Sequence, residues 1–392
     1  MTERLRVAQI VTRFMAGAGG VALRGALALD TDRYEVVFVT GSGDRLIHEA
    51  RDAGFEVVIQ KHLRSEISLR DDRAAITDLK AICSSGEFDV VHTHSAKAGA
   101  LGRLAAHDAQ VARIVHTYHG FPFHAFQSRI RRQAYIRIER SLGRFTDAFL
   151  AVGSAVAAEA ILKRIAPPER VRTIGVAVPN GRAPDPSDQA EARRLLGIPP
   201  GMKVVGTVGR LDFQKAPDDF VDALALLGRN DVYGVWVGDG PLRAKTEKLA
   251  TRRGLSGRMA FLGERDDVAS LLPGFDIFAM ASRYEGLPCA IVEAMAAARP
   301  VVATAVNSVP DIVISGETGL LVPPGRPDLL SRALAYLVED PVVAARLGCS
   351  GRARLGDELT PAALGIVLDQ TYGGEPTTER ATLRGELEVV SS

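Results

Sequence analysis

Short apolar segments rich in valine and isoleucine alternate with helical patterns along most of this 392-residue chain. Strands buried on both faces have this composition, and their alternation with helices predicts parallel, doubly wound α/β sheets. The predicted strands of the first half cover residues 5–11, 35–39, 55–59, 89–93, 113–118 and 148–152. Those of the second half cover residues 204–208, 232–237, 259–262, 277–279, 301–303 and 319–322, with helices from about Pro217 and over 243–253.

A segment of turn-forming residues separates the two halves. Residues 178–189 contain three prolines and the pair Asn180-Gly181, a composition typical of a linker. We therefore predict an N-terminal domain over residues 1–185 and a C-terminal domain over 186–356, in keeping with the length of the chain. A helix over 357–372 would cross back to the N-terminal domain, and residues 373–392 have the composition of a flexible tail.

Composition and charge narrow the function classes. The formal net charge is +1, so the overall charge gives no support for nucleic-acid binding. The three cysteines lie far apart, which argues against disulfides and favours the reduced thiols of a cytosolic protein. The chain enters its first strand without a signal-peptide pattern, and its longest apolar run, 148–158, is shorter than the roughly 20 residues that span a bilayer. We therefore expect a cytoplasmic protein.

A glycine cluster follows the first strand and fits the dinucleotide-binding pattern G-x-G-x-x-A. Two observations disfavour a dehydrogenase: residues 12–16 separate the strand from the first glycine, and the second strand lacks the expected acidic residue at its end. Gly17, Gly19 and Gly20 would instead let backbone amides approach an anionic ligand at a helix N-terminus. The alternative is a tight turn that serves helix packing.

Two cations, Arg210 and Lys215, follow the first strand of the second half. In open α/β sheets ligands bind at the carboxyl ends of strands, so this loop is well placed for a ligand. The planar fork of donors on arginine and the compact charge of lysine suit a pyrophosphate. The alternative is a pair of solvated surface cations.

Two glutamates, Glu285 and Glu293, are separated by seven residues. Pro288 suits the first turn of a helix that Pro300 would end, so Glu285 would lie in the entering loop and Glu293 on the helix. Ionised carboxylates accept hydrogen bonds from sugar hydroxyls. The alternative is a surface helix with two solvated acids.

A histidine, His119, closes the predicted strand 113–118. It would either contact a ligand above the sheet or serve a structural role. Four more histidines lie nearby, but no carboxylate or cysteine stands at a useful spacing from them, so we expect no metal site. They are His92, His94, His116 and His124.

Together these motifs resemble family 4 of the retaining glycosyltransferases, which have the GT-B fold. The most specific match is the pair Glu285 and Glu293 with the residues between them, and the resemblance covers about residues 5–355. The supporting matches are His119-Gly120-Phe121, Gly209-Arg210-Leu211 with Lys215, Val237-Gly238-Asp239-Gly240-Pro241, Phe261-Leu262-Gly263 and the segment from Gly316 to Pro324. The chain departs from the family at Asn307-Ser308-Val309-Pro310-Asp311, where a Gly-Gly and a Pro-Glu are usual, and at 175–181.

The resemblance implies two Rossmann-like domains that face each other across a cleft, with the donor on the C-terminal domain and the acceptor on the N-terminal one. Arg210 and Lys215 would bind the donor diphosphate, and Glu293 would hold the ribose. Glu285 would hold the transferred sugar together with the loop that follows it, which comprises Gly286, Leu287 and Pro288.

The remaining residues implied by the resemblance lie in both halves. His119 would contact the sugar near the reacting carbon. The loop from Gly263 to Arg265 would lie beside the base. The glycines that would press the first domain against donor and acceptor are Gly17, Gly19 and Gly20.

By the same resemblance the protein moves a hexose from a UDP- or GDP-linked sugar to an acceptor, with retention of configuration and without a metal or cofactor. The acceptor would be a lipid-linked glycan, a polysaccharide precursor or a small molecule. Two alternatives stay open. One is a nucleotide-sugar epimerase of the same fold, and the other is a non-catalytic sugar-nucleotide-binding protein.

The segment that begins at Arg129 and ends at Arg144 holds six arginines and one glutamate, interleaved with apolar side chains. One interpretation is a basic amphipathic helix that rests on anionic lipid. The other is an ordinary surface helix beside the acceptor cleft. Family members similar to this chain near His119 often extend lipid-linked glycans, which favours a peripheral position on the inner face of the membrane.

Overall fold

The computed structural model describes residues 4–15, 17–179 and 181–373. The predicted flexible tail, 373–392, lies outside these residues apart from Gly373. The chain forms two compact units: Met1–Ala177 together with Glu358–Ser392, and Val178–Asp357. The division therefore falls between Ala177 and Val178, earlier than the boundary predicted after residue 185, and the chain returns to the first unit at Glu358.

The first unit is built on a parallel sheet whose strands alternate with helices. Its strands occur in the order β3-β2-β1-β4-β5-β6-β7, so the direction of winding reverses between β1 and β4. The elements up to its last strand are β1 (Leu5–Phe14), α1 (Ala18–Leu27), β2 (Tyr34–Gly43), α2 (Arg45–Asp52), β3 (Glu56–Ile59), α3 (Leu69–Ser85), β4 (Val90–His94), α4 (Ala96–Asp108), β5 (Arg113–Tyr118), α5 (Arg129–Gly143), β6 (Ala148–Val152), α6 (Ser154–Leu162) and β7 (Val171–Ile174).

The second unit repeats this plan with strand order β10-β9-β8-β11-β12-β13, and its winding reverses between β8 and β11. All of its named strand pairs are parallel. Its elements are α7 (Pro186–Leu195), β8 (Lys203–Val208), α8 (Pro217–Leu227), β9 (Val232–Val237), α9 (Arg243–Arg252), β10 (Met259–Phe261), α10 (Val268–Leu271), β11 (Ile277–Met280), α11 (Cys289–Ala296), β12 (Val301–Thr304), α12 (Val309–Ile312), β13 (Gly319–Val322), α13 (Pro327–Glu339) and α14 (Pro341–Arg354). The last described helix, α15 (Pro361–Tyr372), belongs to the first unit.

The predicted strands are all present, in the predicted order along the chain and with approximately the predicted bounds. Strand β7 is an additional strand that was not predicted. Strands β4, β5 and β11 are buried along their whole length, as the apolar runs in the sequence indicate. Strand β7 lies at the edge of the sheet, and its Arg172 and Thr173 are exposed. A half-solvated edge strand of four residues lacks the apolar run that identified the others.

The predicted linker 178–189 ends in the start of a helix. Asp185 caps α7: its side chain accepts hydrogen bonds from the backbone of Ser187 and Asp188, and the Asp188 side chain binds the Asp185 backbone in return. Pro186 occupies the first helical position, where its missing N–H costs nothing. Two of the Asp residues that predicted a turn, Asp185 and Asp188, therefore form a capping box.

Helix α15 packs against α1 at the close of the first unit. Leu364 and Leu368 are buried, and a Cβ atom placed on Gly25 of α1 would lie 2.8 Å from Leu368 Cδ1. Glycine at this position therefore permits the close contact between the two helices. The far end of α15 is tied to the sheet, because Tyr372 is 3% exposed and its hydroxyl accepts a hydrogen bond from Gln9 Nε2 at 2.8 Å.

Candidate active site

Two loops of the second unit meet at the carboxyl edge of its sheet, where the winding reverses. Lys215 lies in the loop after β8 and Glu285 in the loop after β11, and these strands are neighbours. Lys215 Nζ and Glu285 Oε1 are 2.5 Å apart, with side-chain exposures of 18% and 5%. Ligands of open α/β sheets bind at this kind of reversal point, so the pair marks a candidate anion or sugar site.

The carboxylate of Glu285 has further partners that the sequence did not predict. Ser282 Oγ donates to Oε1 at 2.6 Å and Gln214 Nε2 donates to Oε2 at 3.1 Å. The Glu285 backbone N–H donates to Asn307 Oδ1 at 2.9 Å. Gln214 and Ser282 could have been found from the sequence because they stand close to Lys215 and Glu285. Asn307 lies in the next loop, and the sequence marked it only as a departure from the family.

Arg210 lies in the same loop as Lys215, but the structure does not hold the two side chains as a clamp. The Arg210 guanidinium contacts Asp212 Oδ2 at 2.7 Å, and its side chain is 66% exposed. Asp212 Oδ1 in turn accepts the Lys215 backbone N–H at 3.2 Å. The exposed arginine is therefore tethered beside Lys215 and is free of the core, so it can turn towards an incoming anion.

The loop that follows Glu285 leads into α11. Gly286, Leu287 and Pro288 are buried, and α11 begins at Cys289. Glu293 lies on this helix and is half-buried. The structure thus places the two glutamates on one continuous loop and helix, with Glu285 before the helix begins.

The loops after β9 and β10 lie at the same edge of the sheet. Gly238 N–H donates to Gly263 O at 2.7 Å, which fixes the two loops to each other. Arg265 is half-buried, and its guanidinium binds both carboxylate oxygens of Asp267 at 2.7 and 2.5 Å. Arg265 therefore lies at this edge of the sheet as one half of an ion pair.

The glycine cluster of the first unit lies at the start of α1. Gly17 is the N-cap residue and its carbonyl accepts the Val21 N–H at 3.0 Å. A Cβ on Gly19 would lie 3.1 Å from Phe14 Cδ2, whereas one on Gly17 would meet no atom within 4 Å. The helix therefore starts directly beyond β1, with Gly19 packed on the strand and Gly17 in open space, and the buried Gly20 follows.

His119 follows β5 and is half-buried. Its Nε2 lies 3.0 Å from Nδ1 of His94, at the end of the neighbouring strand β4. Burial lowers the pKa of His119 to about 4, so the imidazole is neutral at physiological pH. Within residues 4–15, 17–179 and 181–373, no group of three or more His, Cys, Asp or Glu side chains is arranged to hold a metal ion.

Helix α5 contains most of the arginine-rich segment. Its inner face buries Ile136, Glu139 and Leu142, and the Glu139 carboxylate binds the fully buried Arg103 at 2.7 Å. Its outer face leaves Ile130 85% exposed and Ile138 49% exposed. Across the described residues, no helix has both the length and the apolar character needed to cross a membrane.

Comparison with known proteins agrees with this architecture. The sequence pattern of "Glycosyl transferases group 1" matches residues 188–354, and that of "Glycosyltransferase Family 4" matches residues 15–181. The chain is 27% identical to UDP-Gal:alpha-D-GlcNAc-diphosphoundecaprenol alpha-1,3-galactosyltransferase of Escherichia coli, over 87% of this chain and 90% of that protein. It is 30% identical to D-inositol 3-phosphate glycosyltransferase of Mycolicibacterium gilvum, over 73% of this chain and 66% of that protein.

Solved structures resemble the fold over most of the chain. Anabaena HepE, crystallised with UDP and glucose, superimposes with a TM-score of 0.79 at 22% identity, over 94% of this chain and 99% of that one. WaaG, a glycosyltransferase involved in lipopolysaccharide biosynthesis, gives 0.74 at 19% identity, over 94% and 100%.

Two doubly wound parallel sheets in separate units, together with the family matches over both halves of the chain, identify a glycosyltransferase of the GT-B class that uses nucleotide sugars. Both halves of the chain match the same group of enzymes. The chain belongs to the group 1 glycosyltransferases of family 4.

Proposed function

We propose that this enzyme transfers a hexose from a UDP- or GDP-linked donor to a lipid-linked glycan, with retention of configuration at the sugar and without a metal ion. The observation that carries the proposal is the ion pair of Lys215 and Glu285 at the carboxyl edge of the second sheet. The activity named for the Escherichia coli relative, with a UDP-linked donor and a diphosphoundecaprenol acceptor, supports the choice of substrates.

Charge is the central chemical problem of this reaction. The bond between the sugar carbon and the diphosphate breaks, and negative charge grows on the departing phosphate. Lys215 and the exposed Arg210 would stabilise that charge in place of a metal ion, since preorganised cations lower the barrier where charge develops. The acceptor oxygen would bond to the same face of the sugar carbon, and a phosphate oxygen would take the acceptor proton.

The glutamates and His119 would serve the neutral parts of the donor. Glu293 would hold the ribose, and Glu285 would hold the transferred sugar with the loop from Gly286 to Pro288. Gly263 and Arg265 would lie beside the base. His119 would bind a sugar hydroxyl, and Gly17, Gly19 and Gly20 would offer backbone amides at the start of α1.

A panel of nucleotide sugars tests the proposal. The enzyme is incubated with each donor, with and without a polyprenyl-diphosphate-linked N-acetylglucosamine, in buffer that contains EDTA, and free nucleotide is measured. We expect release that depends on the acceptor and a product whose anomeric configuration, read by NMR, matches that of the donor. Isomerised donor without acceptor would indicate an epimerase, and binding without turnover would indicate a sensor.

The Lys215→Ala variant tests the role of the ion pair. We expect transfer to fall about 10²- to 10³-fold, as when one donor to a developing anion is removed, while the second unit stays folded. The matched control is Arg229→Ala, which removes a surface cation paired with Asp231 before β9. Full activity of Lys215→Ala would refute the assignment.

For the acceptor side we propose that α5 rests on the anionic inner face of the membrane. Its exposed Ile130 and Ile138 would enter the lipid interface, and the arginines around them would meet anionic headgroups. A lipid-linked acceptor would then reach the enzyme from the surface on which it is bound.

Vesicle sedimentation tests this contact. The protein should bind vesicles with phosphatidylglycerol and not those of phosphatidylcholine alone, and Ile130→Glu should weaken binding several-fold because a charge replaces an inserted side chain. The control is Leu226→Glu, a change at a residue of α8 that is 60% exposed. Binding that ignores lipid charge, or that Ile130→Glu leaves unchanged, would contradict the proposal.

A further inference from the structure

A chain of side-chain hydrogen bonds runs through the core of the first unit to His119. The hydroxyl of Tyr372 in α15 lies 2.8 Å from Gln9 Nε2, and Gln9 Oε1 lies 2.7 Å from His94 Nε2. His94 Nδ1 then lies 3.0 Å from His119 Nε2. Gln9, His94 and Tyr372 are each 3% exposed or less, so the bonds among these three side chains are shielded from bulk water.

The amide of Gln9 gives this chain of bonds a direction. Its oxygen can only accept, so the proton of the bond to His94 is on His94 Nε2. A neutral imidazole carries one proton, which leaves His94 Nδ1 as an acceptor for the N–H at Nε2 of His119. His119 is then protonated at Nε2, and its Nδ1 carries a lone pair.

The other end of the network is compatible with this orientation of the Gln9 amide. Gln9 Nε2 donates to Tyr372, whose hydroxyl proton is then available for His92 Nδ1 at 2.6 Å. With Nδ1 as the acceptor, His92 carries its proton on Nε2 and donates it to Thr117 Oγ1, which lies 2.7 Å away. Each nitrogen of His92 thus has one role, and the direction of the bonds is consistent from Thr117 to His119.

Burial keeps these imidazoles neutral, so each ring carries a proton on only one of its nitrogens. It lowers the pKa of His92 to about 3 and that of His119 to about 4, and it holds the pKa of His94 well below the ordinary value. The neighbouring histidines act in the same direction on His92 and His94, because like charges at this range repel.

We propose that Gln9 and His94 are positioning residues that fix His119 in its Nε2–H tautomer, so that Nδ1 accepts a hydrogen bond from a hydroxyl group of the sugar substrate. The identity of that hydroxyl donor rests on the function proposed above. The uncharged imidazole of His119 therefore binds the sugar by accepting a hydrogen bond, and it transfers no proton in the reaction. A deoxy sugar without that hydroxyl would leave Nδ1 unpaired and would be a poor substrate.

Nitrogen-15 NMR of histidine side chains in the full-length enzyme tests the tautomer directly. The His119 signals are assigned by their loss in His119→Gln. We expect a single neutral form at pH 7.5 with the proton on Nε2. A proton on Nδ1, a mixture of tautomers or a cationic ring would overturn the proposal.

Variants connect the tautomer to activity. Gln9→Met removes the amide and keeps the length of the side chain, and we expect a second His119 tautomer. We also expect a roughly 10- to 100-fold lower kcat/KM for the donor, by analogy with the loss of a partner that orients a metal-binding histidine. The matched control is Thr93→Val, which removes the 2.8 Å bond between Thr93 Oγ1 and His116 Nδ1 on the opposite, equally buried face of the sheet. It should leave the His119 spectrum and kcat/KM unchanged.

The two readouts separate this inference from the proposed function. The spectrum needs no substrate, so a wrong tautomer would overturn the positioning role while transfer activity stands. The expected tautomer in a protein that turns over no donor would overturn the proposed function alone. Gln9→Met with an unchanged tautomer and reduced activity would also overturn the positioning role.

Discussion

At the scale of single residues, the candidate site combines charges that satisfy one another before a ligand arrives. Lys215 is largely buried, and its ammonium is held against the carboxylate of Glu285. An unpaired charge in this position would be costly, so the glutamate stabilises the lysine in the unliganded enzyme. Arg210 is exposed and pairs with Asp212, an arrangement that is easily exchanged for a phosphate.

The buried histidines predict how stability depends on pH. The pKa of His92 is lowered to about 3 and that of His119 to about 4, while unfolded histidine titrates near 6.5. Between these folded and unfolded pKa values the unfolded chain binds more protons than the folded one. The contribution of these histidines to the free energy of unfolding is therefore fully present above about pH 6.5 and is lost as the pH falls towards 4. Each histidine contributes a slope of up to about 1.4 kcal/mol per pH unit.

Urea unfolding between pH 7.5 and 5 measures this loss, and the chain contains its own control. All eight histidines lie in the first unit, whereas the single tryptophan, Trp236, is buried in the second. Hydrogen exchange of β4 and β5 should report the weakening, and Trp236 fluorescence should show little change between pH 6.5 and 5. Equal sensitivity of both units would contradict the assignment to the histidines.

At the scale of elements, backbone contacts between loops shape the donor edge. Gly238 has φ of +128°, and a Cβ there would lie 2.2 Å from the carbonyl oxygen of Gly209. Gly209 begins the loop that carries Arg210 and Lys215. The loops after β8 and β9 can therefore approach this closely only because Gly238, the first residue after β9, has no side chain.

Gly238→Ala should disturb both stability and activity. The unfavourable φ and the clash with backbone should together cost about 3 kcal/mol or more, and displacement of the loop should lower transfer. Urea unfolding followed by Trp236 fluorescence and a donor-binding assay measure the two effects. Gly254→Ala is the control, because its φ of +74° is also unfavourable but no atom lies within 4 Å, so we expect a loss of about 1 kcal/mol.

The sequence predicted elements well where one signal dominates. Buried parallel strands such as β5, β6 and β9 have the predicted bounds, because a short apolar run between turns has few other interpretations. Edge strand β7 was missed because its middle residues are solvated, and the start of α7 was assigned to a linker because capping residues are also turn residues.

The candidate site was predicted in part, for a related reason. Lys215 and Glu285 stand in motifs, so a resemblance could identify them, and the structure adds that they touch. Gln9, His94 and Tyr372 act through contacts between β1, β4 and α15, which are far apart in the sequence. No local pattern reports a hydrogen bond between residues 9 and 372.

At the scale of the whole molecule, the first unit depends on a helix that follows the second unit in the chain. Helix α15 buries Leu364, Leu368 and Tyr372 in the first unit. Its Asp369 carboxylate binds Arg33 at 2.6 Å and the hydroxyl of Tyr34 at 2.8 Å. The last described helix is therefore an integral part of the N-terminal fold.

Leu368→Ala should weaken the first unit and leave the second unchanged. Loss of a 3% exposed leucine should cost about 2–4 kcal/mol, because the removed atoms leave a cavity beside Gly25. Ile366→Ala on the same helix is the control, since that side chain is 61% exposed and should change stability by less than about 0.5 kcal/mol. Equal effects of the two substitutions on hydrogen exchange in β1 would contradict the described packing.

The return of the chain to its first unit has a consequence during synthesis. A ribosome releases Val178–Asp357 as one continuous stretch, so this unit can fold as soon as it has emerged. The packing of the N-terminal unit is completed only when Pro361–Tyr372 has emerged, and until then the apolar surface that this helix covers is exposed. A nascent chain that stops before this helix exposes apolar surface of the kind that chaperones and proteases recognise, whereas a chain that includes the helix covers it.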